Sequence, residues 1–162
     1  HEKVFVKDTQ IDSDFELLFP DDYINNVTER LNLYTELNSI KEEEALQKFE
    51  SELIDRFGEL PTQVVDLLNS VRIKWIANSI GLEKVVMKKG RLIGYFISDQ
   101  QSAFYQSAKF TQVLQFVQSN ANLCKLKEKE TRNGLRLLLT FDKITSAEKA
   151  LRALAPFQNL KA

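Results

Sequence analysis

Glu52-Leu53-Ile54-Asp55-Arg56-Phe57-Gly58-Glu59-Leu60-Pro61 reads as the end of one helix, a tight stop and the start of another. Leu46, Phe49, Leu53 and Phe57 recur at spacings of three and four, which places them on one helical face. Gly58 follows that stripe, where a helix often needs a residue with positive φ to close its last turn. Pro61 stands where the next helix begins, because a first-turn proline lacks only an N–H that would be unpaired anyway. Val64, Leu68, Val71 and Trp75 then start a second stripe. Two apolar faces joined by so short a turn are expected to pack as an αα-hairpin. Asp55 lies opposite the first stripe. Glu52 lies beside it, one turn earlier, so both carboxylates project outward.

Upstream, Pro20-Asp21-Asp22-Tyr23-Ile24 reads as a helix start, with two acids where the helix dipole favours negative charge. Tyr23, Val27, Leu31, Tyr34 and Leu37 supply its stripe and predict a first helix over about 21–39. The second helix is expected over 41–57. The third is expected over 61–80, stopped by Gly81. Residues 1–19 alternate weakly and suggest one or two short extended segments.

Downstream the period changes. Val85 to Ile97 reads as a hairpin around Lys88-Lys89-Gly90. A helical turn at 102–105 and an amphipathic helix at 109–119 follow. A second hairpin pairs 123–129 with 135–141 around Asn133-Gly134, and a last helix over 145–157 is capped by Thr145 or Ser146. The fold class is therefore α+β: an N-terminal helical part with an αα-hairpin, then β-hairpins interleaved with helices. One unit over 1–162 is expected, divided into an extended leader (1–19), three helices (20–81) and a hairpin-helix-hairpin-helix part (82–162).

With 43% hydrophobic residues the chain can bury a core. Its 22 bases and 23 acids leave a net charge of −1, so no overall field draws it to nucleic acid. Cys124 is the only cysteine, which excludes an internal disulfide and a multi-cysteine zinc site and points to a reducing compartment. It is read as a core or half-buried strand residue. No apolar run approaches the roughly 20 residues that span a bilayer. The sequence opens on His1, and Met87 is the only methionine, which reads as a piece of a longer protein.

Asp8, Asp12 and Asp14 superficially suggest a calcium loop, but the glycine and terminal glutamate such a loop needs are missing, so no metal is expected. His1 is the only histidine, and no HExxH, GxSxG, GxGxxG or GxxxxGK[ST] pattern occurs. No catalytic residue and no cofactor are therefore expected, which leaves a binding or regulatory module. Lys88, Lys89 and Arg91 make the densest basic turn. Phosphate contact is one reading of it, a solvated turn the other. The lysines of 125–129 are expected to cover the solvent face of a sheet.

The PDDYI string at 20–24, Arg30-Leu31 and Tyr34, and the 52–61 stretch with Leu67-Leu68 together resemble the C-terminal domain of bacterial transcription-repair coupling factors, the Mfd family. The match is dense from about 19 to about 97. Beyond about 100 it lies in the order of elements more than in particular residues. The resemblance implies a cytoplasmic, non-catalytic domain of an ATP-driven DNA translocase that displaces stalled RNA polymerase and recruits the excision-repair protein UvrA. It implies that the domain docks on the parent's own UvrB-like domain, masks its UvrA-binding surface and restrains the translocase. By motif position, Glu52 and Asp55 are the acids that would face basic residues of the UvrB-like domain. The bland alternative is two solvated acids, with Glu52 paired to Arg56. The runner-up function is an accessory nucleic-acid-binding domain acting through Lys88, Lys89, Arg91 and the lysines of 125–129.

Overall fold

The computed structural model describes residues 4–160. Its N-terminal part holds three helices, α1 (Val27–Ser39), α2 (Glu43–Phe57) and α3 (Thr62–Ser79). The αα-hairpin forms as its stripes predict. Leu46, Phe49 and Leu53 of α2 are buried against Val64, Leu67 and Leu68 of α3 in one core cluster. Gly58 closes α2 at φ +91, its N–H donating to Ile54 O at 2.9 Å. Pro61, at φ −64, leads directly into α3. Phe57 is only half-buried, its ring 5.7 Å from that of Tyr23.

The first helix begins later than 21. Tyr23 and Ile24 both donate their N–H to Pro20 O and close a separate turn. Asn26 then caps the helix, its side chain accepting from Glu29 N at 3.0 Å. The Arg30 guanidinium donates to the carbonyls of Ile24 and Asn25, occupying acceptors that an earlier start would have used. The expected stripe holds in part: Tyr23, Tyr34 and Leu37 pack on the helical core, but Leu33 takes the inward place expected of Leu31, and Val27 and Leu31 are 59% and 60% exposed.

The C-terminal part is a mixed sheet of β1 (Gln10–Ser13), β2 (Leu82–Lys88), β3 (Arg91–Phe96), β4 (Lys125–Thr131) and β5 (Gly134–Asp142), in the order β1-β2-β3-β5-β4. Among the described residues, β1 is the one strand the leader supplies. It pairs parallel with β2, a crossover whose connection is the whole three-helix part. α4 (Ala108–Ser119) and α5 (Ala147–Leu154) complete the elements, with short 3-10 turns at Ala103–Gln106 and Ala155–Asn159. Ser146 caps α5, accepting from Lys149 N. The last helix tightens into a 3-10 turn at Pro156, which lacks the N–H a further α-turn needs. In the second hairpin the turn residues are Arg132 and Asn133, because Gly134 already pairs with Thr131.

α3 joins the two parts. Its first half belongs to the helical core, while Ile73, Ile76 and Ala77 of its second half pack on one face of the sheet. On that face lie Val85 and Met87 of β2, Leu92 and Phe96 of β3, and Leu139 and Phe141 of β5, covered by α3, α4 and α5. The alternate residues of each strand point the other way. No helix among the described residues is long and apolar enough to cross a membrane.

Candidate partner interface

The two strings that stand out in the sequence, at 20–24 and 52–61, meet in space. The Tyr23 hydroxyl donates to Gly58 O at 2.8 Å and lies 3.3 Å from Leu53 O, which ties the 20–24 turn to the end of α2. Burial there raises the Tyr23 pKa. Phe19 N donates to the Tyr34 hydroxyl at 2.7 Å, which fixes the entry of the same segment. The α2 C-terminus is thus pinned from one side by the 20–24 turn and from the other by α3.

The pinned helix presents Glu52 and Asp55 to solvent. Neither lies within ion-pair distance of a cation among the described residues. The partner that would satisfy Glu52 locally, Arg56, is instead paired with Glu29 of α1, and its guanidinium carbon sits 4.7 Å from the Phe57 ring centroid. Nearer the start of α2, Arg72 of α3 donates to both carboxylate oxygens of Glu43 at 2.7 Å, and this holds the Glu43 carboxyl below its ordinary pKa. Ile54, between the two acids, is 46% exposed. The geometry sorts the helix: its flanks are tied to α1 and α3, and its outer face is left with uncompensated carboxylates beside an apolar side chain.

The basic turn is arranged differently. The Lys88 ammonium is 3.0 Å from Asp12, Arg91 Nε is 3.3 Å from Asp142, and the Lys89 N–H donates to the Asp14 carboxylate at 3.0 Å. Two of its three side-chain charges are shared with acids, and two of the aspartates that suggested a calcium loop serve here. Lys125, Lys127 and Lys129 are all exposed on β4. No group of three or more potential metal-ligating side chains occurs among the described residues.

Cys124 precedes β4, its N–H donating to Asn120 O in a turn. The side chain is 3% exposed, and burial pushes the thiol up to about 11. Since thiolate is the reactive form, a disulfide-exchange reagent at pH 8 is expected to label the native protein far more slowly than the protein in denaturant. Equal rates in the two states would contradict this placement.

What sequence reasoning missed is the stitch between Tyr23 and the end of α2, and the sorting of cations on the sheet. The first leaves no signal beyond the nearness of both strings to α2. The second was visible in the alternation of lysine and glutamate through 125–130.

A family model described as the TRCF domain matches residues 13–107, more than half of the chain. Similar proteins include the transcription-repair-coupling factor of Rickettsia prowazekii, 28% identical over 136 residues, covering 83% of this chain and 11% of that protein. The transcription-repair-coupling factor of Escherichia coli K12 is 38% identical over 77 residues, covering 48% of this chain and 7% of that protein. The chain thus spans only about a tenth of the length of these relatives. Among solved structures, the crystal structure of a C-terminal domain of transcription-repair coupling factor superposes with a TM-score of 0.68 at 19% identity, covering 96% of both chains.

Proposed function

Starting from the fact that the chain belongs to the TRCF domain family, we propose that it is the autoinhibitory C-terminal domain of a DNA-translocating coupling factor. In this reading it has no catalytic role. It docks on the parent's UvrB-like domain, masks the UvrA-binding surface and restrains the translocase until stalled RNA polymerase is engaged. The observation that carries the reading is the outward pair Glu52 and Asp55, held on a pinned helix with no cation of their own. Two solvated acids cost nothing where they stand. Opposite a basic surface they supply attraction and orientation without remodelling this domain.

The runner-up, nucleic-acid binding through Lys88, Lys89, Arg91 and the lysines of 125–129, is weakened at the basic turn by the acids that Lys88 and Arg91 already face. The deciding experiment mixes the purified chain with the purified UvrB-like domain of the same protein and measures association by calorimetry. A one-to-one complex that loosens as salt rises is expected. Absence of any complex at low salt would refute the docking role.

A further inference from the structure

The net charge of −1 conceals two opposed fields. Residues 1–81 hold 17 acids and 8 bases, a formal charge of −9. Residues 82–162 hold 6 acids and 14 bases, a formal charge of +8. The cations of the second half are sorted again by strand parity. In the sheet register Lys125 faces Thr140, Lys127 faces Leu138 and Lys129 faces Arg136, all on the side away from the helices. The acids of the same strand, Glu128 and Glu130, pair with Leu137 and Leu135 on the opposite side. Lys84 joins the helix-free face opposite Tyr95. The Arg136 guanidinium carbon lies 5.3 Å from the centroid of the Tyr95 ring.

Guarding an open sheet edge against aggregation is the ordinary use of edge lysines. That use requires charge on β4 but no separation of sign between its two faces. It does not account for Lys84 on an interior strand; Arg136, beside it, is held by Glu83 at 3.0 Å and by Phe96 O at 3.2 Å. Lys125, Lys127 and Lys129 have no carboxylate within ion-pair distance among the described residues.

We propose that the helix-free face of the sheet binds a single polynucleotide strand, with phosphates along the lysine row of β4 and a base against Tyr95. Alternate residues of a strand lie about 7 Å apart, so the row presents regularly spaced point charges along an extended line. A cation-lined surface with an aromatic ring near its centre is the combination that holds single strands. A duplex keeps its bases stacked within itself and gains nothing from Tyr95. The proposal does not rest on the autoinhibitory reading, since Glu52 and Asp55 belong to the acidic half.

The test uses the 162-residue chain and a labelled 12-nucleotide single strand, its duplex and a polyglutamate peptide, each titrated by fluorescence anisotropy between 50 and 200 mM salt. The single strand is expected to bind more tightly than the duplex, with affinity falling steeply as salt rises. Lys125→Gln, Lys127→Gln and Lys129→Gln together should reduce the slope of log affinity against log salt by about 2, because each single-strand phosphate contact contributes about 0.7. Tyr95→Ala should weaken binding about tenfold with the slope unchanged, as loss of a stacked base does. Lys41→Gln with Lys48→Gln, in the helical part, should change neither. No binding at 50 mM salt, equal binding of duplex, or an unchanged slope in the folded triple variant would overturn the proposal. Tighter binding of polyglutamate than of the strand would overturn it in favour of an acidic protein partner.

Discussion

Gly81→Ala is expected to lower the melting temperature by about 10 °C, roughly 2–5 kcal/mol at about 2–4 °C per kcal/mol for a chain of this size. Gly81 ends α3 at φ +88, its N–H donating to Asn78 O at 3.2 Å. A side chain in that backbone conformation costs about 1–2 kcal/mol by itself. A Cβ there would stand 2.2 Å from Cζ of Phe104. That ring cannot withdraw cheaply. It is fully buried, and its centroid lies 5.4 Å from Phe5, 6.2 Å from Phe96, 5.5 Å from Tyr105 and 5.2 Å from Phe110. Overpacking of this kind adds about 1–3 kcal/mol. Gly58→Ala is the control: it also requires positive φ, but nothing lies within 4 Å of its added Cβ. If the two variants melt within a degree or two of each other, the contact between Gly81 and Phe104 is not what holds the sheet core to α3.

The comparison of Gly58 with Gly81 also marks what the sequence can disclose. Both glycines were legible as helix stops, because a stop needs only the local pattern of apolar periodicity and a residue tolerant of positive φ. That Phe104 fills the space over one and not the other depends on packing across 23 positions of sequence, which no local period encodes. The α2–α3 hairpin, both β-hairpins and the helix order were legible for the local reason. The start of α1 was not. Asp21 and Asp22 carry the right charge for a first turn, yet Pro20 O closes a separate turn and Asn26 takes the cap, a competition between two acceptable caps.

The candidate interface divides in the same way. That Glu52 and Asp55 point outward followed from helical spacing. That Arg56 is withdrawn to Glu29, leaving Glu52 without its local partner, required the placement of α1. Net charge was the least informative quantity. Its near-zero value is a cancellation between halves, and weighing it against nucleic-acid binding overlooked the sorting of lysines by parity.

On the proposed docking, charge reversal at both acids, Glu52→Lys with Asp55→Lys, is expected to expose a UvrA-binding surface in the full-length parent without any stalled polymerase. The two positions are exposed, three residues apart and outside the buried set of α2, so the fold should survive the change. Docking should not. Two attractive contacts become repulsive, and basic groups desolvated on the UvrB-like domain lose their compensation, a loss of about 3 kcal/mol or roughly 100-fold in the closed-to-open ratio. The measurement is capture of UvrA by full-length protein, unmutated and double-mutant, with circular dichroism to establish folding and a variant lacking this domain to set the fully open level. Capture by the double mutant should approach that level. Because the helix-free sheet face is untouched, polynucleotide binding by the isolated chain should not weaken, which separates loss of docking from general disturbance. A folded double mutant that captures no more UvrA than the unmutated protein, where deletion of the domain does raise capture, would remove Glu52 and Asp55 from the interface and leave the clamp to be sought around exposed Ile54, Val27 and Leu31.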